Sequence, residues 1–225
     1  RGMQAEAEAR LRLAADLRLG LAAGEIHAHF QSKCRADGRI VGAEALARWR
    51  RADGEQVSPA VFVPMAEALG LEAELGCAIP IAVNLAAREL RQPDLPDRIV
   101  ALLAEYRLPP QSLILEVTES QLIDDFDAIS AVLARLRAAG MKVAIDDFGT
   151  GFSSLSYLKR LPVDELKIDG SFVADAAHDP RDQALLRAIV SLGRTLDLAV
   201  VAEGVETEEQ LALLRSLGCE VFQGW

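Results

Sequence analysis

The sequence predicts an α/β fold, a TIM-like (β/α)8 barrel, on three observations. Eight short apolar runs recur through the 225 residues, and segments of helical period separate most of them. Each run also carries a polar or charged residue near its end, where a barrel of this kind places its chemistry. An open doubly wound sheet is the other fold that such alternation allows. It normally shows a glycine-rich phosphate fingerprint after its first strand, and "HFQSKCRADG" contains none.

The elements follow in order. The first 20 residues, including "MQAEAEARLRLAADLRLGL", read as an amphipathic linker or signalling helix from an upstream domain. The Arg1-Gly2 ahead of Met3 reads as an expression remnant. Residues 21–225 form the main domain. Strands are expected at 25–33, 40–49, 79–86, 112–119, 141–147, 164–170, 199–205 and 219–224. Helices are expected near 59–70, 94–106, 125–139, 153–160, 180–196 and 207–217. Ser58-Pro59, Asp179-Pro180 and Thr207 followed by Glu208 and Glu209 supply good start signals.

One connection is too short. Gly76 runs almost directly into "IPIAVNL", whereas a parallel crossover needs about 10–12 residues or more, most of them helical. The segment 59–76 alone would be cramped, so a helix near 76–79 is either deleted or absent from this chain. No helix follows the last strand before Trp225, which reads as a truncated C-terminal end.

Composition narrows the class. Hydrophobic residues make up 51% and no stretch is of low complexity, so the chain is globular. No apolar run reaches the roughly 18–20 residues of a membrane helix, and no signal peptide is evident. Cys34, Cys77 and Cys219 are scattered and form no CxxC spacing. Reduced thiols and a cytoplasmic domain without membrane contact are the expectation. The 34 acids against 24 bases give a net charge of −10, which speaks against bulk nucleic-acid binding.

Read strand by strand, the polar positions are Gln31, Glu44, Asn84, Glu116, Asp146 with Asp147, Lys167, Glu203 and Gln223. One such residue would be an ordinary solvated strand end. Eight strands of them, dominated by carboxylates and amides, would cost several kcal/mol each to bury without partners. Asp146 and Asp147 stand side by side in "VAIDDFGTGFSSL", and adjacent carboxylates repel unless something positive lies between them. Oxygen donors without paired His or Cys suit Mg²⁺ or Mn²⁺, with Ca²⁺ as an inert, inhibitory substitute. Two adjacent aspartates can serve two ions, the arrangement of two-metal phosphodiester hydrolysis. Lys167 would either stabilise developing phosphate charge or form a structural ion pair to a neighbouring acid.

Other residues read as ordinary. His27 and His29 alternate on the first strand without further ligands, and His178 lies in a loop. "GTG" at 149–151 lacks the Lys-Ser/Thr of a P-loop and reads as a hinge before a Ser153/Ser154 cap. No Ser or Cys sits in a nucleophile motif.

The segments "AEALARW" (43–49), "VNLAAREL" (83–90), "EVTES" (116–120), "DDFGTGFSSLSYL" (146–158), "LKIDGSFV" (166–173), "VAEGVET" (201–207) and "QGW" (223–225) carry a resemblance. In this order they resemble the bacterial EAL-domain phosphodiesterases, from about residue 20 to the end. The resemblance implies a barrel with one antiparallel strand and Mg²⁺- or Mn²⁺-dependent hydrolysis of cyclic di-GMP to linear pGpG. It implies metal coordination by Glu44, Asn84, Glu116 and Asp146, with Asp147 on a second metal. Glu203 is implied as metal ligand or general base, Lys167 near the catalytic water, and Gln223 in the metal and water shell. Arg48 resembles the phosphate-binding arginine, and Gln31, Asp169 and Glu206 are implied to contact ligand. Glu119 resembles the glutamate that holds the DDFGTG loop and couples dimerisation to metal binding. The resemblance further implies a homodimer through that loop and its following helix, and an upstream GGDEF or sensory domain.

Two departures stand out: Phe30-Gln31-Ser32 replaces the usual Tyr-Gln-Pro, and Ala86 replaces a serine. Neither removes a metal ligand. A catalytically silent cyclic-di-GMP receptor is the alternative, but such relatives have usually lost metal ligands, and that none is lost here favours the enzyme.

Overall fold

A computed structural model describes residues 13, 16–17, 19–20, 22–57, 80–122, 125–150 and 158–224. Its strands are β1 (Ile26–Arg35), β2 (Ile40–Arg50), β3 (Gln56–Val57), β4 (Ile81–Asn84), β5 (Leu113–Thr118), β6 (Lys142–Phe148), β7 (Glu165–Ile168), β8 (Ala199–Val205) and β9 (Val221–Gly224). Its helices are α1 (Ala87–Leu90), α2 (Leu95–Glu105), α3 (Phe126–Ala138), α4 (Gly170–Ala174), α5 (Pro180–Thr195) and α6 (Glu208–Leu217).

The sheet runs β1-β9-β8-β7-β6-β5-β4-β2-β3, and a β1–β2 pairing closes it. Eight strands thus make the barrel, and β3 is an antiparallel extension of β2 that the sequence pattern did not show. Pairings from β2 through β9 are parallel, while β1 meets β9 antiparallel. The barrel with one reversed strand is therefore the fold expected. The short α1 and α4 and the 3-10 turns at Pro110–Ser112 and Glu119–Leu122 were not anticipated, because three to five residues carry no readable period.

The chain divides into two compact units, residues 1–30 with 45–75 and residues 31–44 with 76–225. In the first, residues 13, 16–17, 19–20 and 22 are helical. The Trp49 indole there donates to Glu25 Oε2 at 3.0 Å, and Arg51 pairs with Asp16 at 2.8 Å. Most of the expected N-terminal helix lies outside the described residues. So do the expected helices at 59–70 and, but for its last turn, 153–160, together with the 76–79 connection.

In the second unit, alternation along each strand separates two layers. Leu115, Val117, Val143, Ile145, Leu166 and Ile168 face the surrounding helices in one large apolar cluster. Their neighbours point into the barrel. Ala82, Ile114 and Ala144 form a small apolar interior layer. Two residues further along the same strands come Asn84, Glu116 and Asp146, so the fold places the acids directly above that apolar floor.

The helices have clear local causes. Asp179 caps α5 by accepting from the Arg181 amide, with Pro180 at the first helical position. Thr207 and Gln210 form a reciprocal capping box on α6. Both starts were legible in the sequence. No helix among the described residues is long and apolar enough to cross a membrane.

Candidate functional site

Two matched irregularities shape the mouth of the barrel. Along β6 and β7, Ala144 pairs with Glu165 and Ile145 with Leu166, after which the register shifts so that Phe148 meets Ile168. Asp146 and Asp147 therefore stand opposite Lys167 alone. Along β8 and β9, Ala202 pairs with Phe222 and Val205 with Gly224, so Glu203 and Gly204 stand opposite Gln223 alone. Each is a β-bulge, a device that re-aims side chains at functional rims. It answers why two aspartates can follow one another: the bulge turns Asp147 into the left-handed region, at φ 53, instead of onto the opposite face of the sheet.

The bulges bring Asp146, Asp147 and Glu203 together, with one carboxylate oxygen of each lying within 4.8 Å of the others. Lys167 lies among the acids, its side chain 1% exposed. Its Nζ contacts Glu203 at 2.7 Å, Asp146 at 2.8 Å, Glu116 at 2.9 Å and Glu44 at 3.3 Å. Asn84 donates to Glu44 Oε1 at 3.1 Å and to Glu116 Oε2 at 3.4 Å. Gln223 donates to Glu44 Oε2 at 2.7 Å and to Gln31 Oε1 at 3.0 Å, while Gln31 donates to the Gly224 carbonyl. Gln31 and Glu44 turn out to be inward-facing positions in the middle of their strands rather than near the ends.

The remaining candidate residues take distinct places. Asp169, whose charge helps to raise the Asp147 pKa, caps α4 through the Ser171 amide. Glu119 Oε2 accepts from the Gly149 amide at 3.2 Å, tying the turn after the Asp pair to the end of β5. Glu206 is exposed, with its backbone amide donating to Gln210 Oε1. Arg48 belongs to the first unit, where its Nη1 donates to the Ala47 carbonyl. The His27 and His29 rings lie 5.2 Å apart between centroids, tilted by 44°, and both are exposed, as is His178.

Two buried residues escaped the sequence reading. Lys33, two residues after Gln31 on the same face of β1, reaches Glu116 Oε1 and Glu165 Oε1, each at 2.9 Å. Glu165 lies two residues before Lys167 on the same face of β7. A period of two counted from Gln31 and from Lys167 would have found both.

Charge burial governs the titration of these groups. Burial raises the Glu116 carboxyl above its ordinary value despite Lys167 and Lys33. It pushes Glu203 up to about 7 against the pull of Lys167. Asp147 is raised by burial and then by the charges of Asp146 and Asp169. For Glu44 burial acts in the same sense, but Lys167 and the Gln223 hydrogen bond outweigh it, and its pKa falls. Burial works against both ammonium groups. The carboxylates outweigh it, so Lys167 and Lys33 stay protonated with raised pKa values.

The donors fit a hard divalent cation. They are carboxylate and amide oxygens, and Gln223 Oε1 is buried without a hydrogen-bond partner among the described residues. The groups that touch the two lysines or belong to the Asp146–Asp147–Glu203 cluster are six carboxylates, against two ammonium charges. Carboxylates thus outnumber ammonium groups at this point, an imbalance that a bound cation would relieve.

Comparisons with known proteins give matches over nearly the whole chain. The sequence pattern of the EAL domain family matches residues 14–79 and 76–225, two segments that meet where the crossover is short. The bifunctional diguanylate cyclase/cyclic di-GMP phosphodiesterase MucR of Pseudomonas aeruginosa is 43% identical over 243 residues, 99% of this chain and 36% of MucR. The cyclic di-GMP phosphodiesterase NbdA of the same organism is 38% identical over 245 residues, 100% of this chain and 31% of NbdA. The chain spans about a third of the length of these relatives. A solved PaMucR phosphodiesterase in complex with c-di-GMP superposes with a TM-score of 0.85 at 43% identity, covering 95% of this chain and 94% of that one. The FimX EAL domain from P. aeruginosa bound to c-di-GMP gives 0.82 at 25% identity, covering 93% and 92%.

Proposed function

Because the chain belongs to the EAL domain family, we propose that it is a metal-dependent phosphodiesterase that hydrolyses cyclic di-GMP to linear pGpG. The convergence of Asp146, Asp147 and Glu203 beside Glu44 and Glu116 carries this reading. A receptor without hydrolysis would not need so many buried carboxylates kept at one point.

Glu44, Asn84, Glu116 and Asp146 would hold one Mg²⁺ or Mn²⁺, and Asp147 would hold a second, with Glu203 as ligand or general base. Bound cations of this kind supply Lewis acidity, making water a competent nucleophile near neutral pH and neutralising phosphate charge. Glu203 accepts the proton from the attacking water. Lys167, already among the acids, steadies the charge that develops on the phosphate oxygens. Gln223 orients the water shell, its free Oε1 offering one acceptor. Arg48 binds phosphate, and Gln31, Asp169 and Glu206 contact the rest of the substrate. Glu119 keeps the Asp147 turn in place through Gly149.

In the longer protein this domain would respond to an upstream GGDEF or sensory domain through the N-terminal helix. It would act in the cytoplasm as a homodimer formed by the DDFGTG loop and its following helix.

The test is product analysis after incubating the purified domain with cyclic di-GMP and Mg²⁺ or Mn²⁺, with EDTA and Glu44→Ala as controls. Linear pGpG from the parent alone supports the reading, with Ca²⁺ inhibiting. Tight cyclic di-GMP binding without product in either metal would replace it with the receptor reading.

A further inference from the structure

We propose that Lys33 is a positioning residue for the metal centre, acting through Glu116 and itself anchored by Glu165. The inference rests on the proposed role of Glu116 as a metal ligand.

Glu116 is fully buried, and its two oxygens have different partners. Oε1 accepts from Lys33 Nζ at 2.9 Å. Oε2 accepts from Lys167 Nζ at 2.9 Å and from Asn84 Nδ2 at 3.4 Å. Only Oε2 therefore faces Glu44, Asn84 and the rest of the cluster. The hydrogen bond to Lys33 fixes the plane of the carboxylate and commits Oε1 elsewhere, so Glu116 offers a cation one oxygen rather than two. The arrangement matches that of ligands whose second polar atom is held by an outer partner, a contact that orients the ligand and tunes its basicity.

Lys33 is itself held. It is 2% exposed, and its second carboxylate partner is Glu165 Oε1 at 2.9 Å. Backbone register sets the position as well, since Lys33 pairs directly with Gln223 across the antiparallel β1–β9 contact. An ammonium is therefore built into the reversed strand, one inward position from Gln31. Glu165 supplies the charge that keeps Lys33 between two acids instead of collapsing onto Glu116 alone.

The experiment separates positioning from plain stability. Lys33→Met alone leaves Glu116 and Glu165 buried without their cation, so it alone would confound the two. The combined Lys33→Met/Glu165→Gln variant removes one charge of each sign and keeps both side-chain volumes. Mn²⁺ binding is measured by calorimetry on the parent, on this double variant and on Glu116→Gln, with the melting temperature of each.

The expected result is a double variant that melts near the parent but binds Mn²⁺ about 10–100-fold more weakly, the usual cost of losing an outer partner of a metal ligand. Glu116→Gln should lose at least as much. A double variant that folds and binds Mn²⁺ within about twofold of the parent, while Glu116→Gln does not, overturns the role of Lys33 alone. Parent-like Mn²⁺ binding by Glu116→Gln overturns the ligand assignment on which the inference rests. If the double variant does not fold, Glu165→Gln with Lys33 retained gives the second reading. Weakened Mn²⁺ binding supports the anchor, and unchanged binding overturns it.

Discussion

Asp147 and Gly204 occupy the same position in two bulges of one barrel, the second residue of a pair facing a single residue on the next strand. Both are left-handed, at φ 53 and φ 65. Gly204 meets the requirement without a side chain, and a Cβ there would lie 3.0 Å from Gly170 Cα. Asp147 keeps its side chain and directs it towards Asp146 and Glu203. One bulge thus adds a carboxylate to the site, and the other lets the backbone of the β8 loop pass close to α4.

Gly204→Ala should destabilise the domain by about 1–2 kcal/mol from the backbone conformation alone, and more from the contact with Gly170. Asp147→Asn should fold almost as well as the parent, because Asn accepts the left-handed region, whereas Asp147→Val should cost about 1–2 kcal/mol. Urea unfolding of the three variants measures this. Equal stability of the Asn and Val variants would contradict the strain argument.

Lys167→Met should be more severe. It leaves Glu44, Glu116, Asp146 and Glu203 without the ammonium they share, and the loss of one partner from a buried charge set costs roughly 3–5 kcal/mol. Millimolar Mg²⁺ should recover part of that loss, since a cation among the same oxygens replaces the missing charge. Melting curves with and without Mg²⁺ give the result, and a deficit that Mg²⁺ leaves unchanged would count against cation binding at these carboxylates.

Gln210 joins three segments. Its Oε1 accepts from the Glu206 and Thr207 amides, and its Nε2 donates to the Ala174 carbonyl at the end of α4. Gln210→Leu should cost about 1–3 kcal/mol, because an apolar side chain of similar size leaves those groups unpaired. Thr207→Ala, which removes only the cap to the Gln210 amide, should cost about 1 kcal/mol. Chemical denaturation ranks the two.

Cys219 gives a pH dependence of known sign. Burial pushes its thiol up to about 11, above the ~8.5 of an unfolded cysteine. Between those values the folded chain keeps a proton that the unfolded chain has released, so this residue makes stability fall as pH rises. The parent should lose more stability than Cys219→Ala on going from about pH 8.5 to about pH 10.5. Parallel pH curves for the two proteins would refute it.

The barrel was legible because period-two runs and capped helices repeat in the same order as the observed elements. Asp179-Pro180 and Thr207 marked two helix starts by chemistry that acts over three residues. The β3 extension, α1 and α4 were not legible, since two to five residues are too few to show a period. Of the acidic centre, the residue types were visible one strand at a time. Lys33 and Glu165 were missed because a lone lysine and a lone glutamate look like surface residues unless their strands are counted in period two from Gln31 and Lys167.

By itself, then, the sequence determined the barrel class, the family resemblance and the supply of oxygen donors, all properties of local pattern and composition. Only the tertiary structure decided which oxygens meet and which ammonium groups hold them. Strand register and the two bulges, set by pairing between residues 19 to 190 positions apart, place Lys33 on one oxygen of Glu116 and Lys167 on the other. Burial then fixes the charge state of each, because in the barrel interior an unpaired charge costs far more than it does in water.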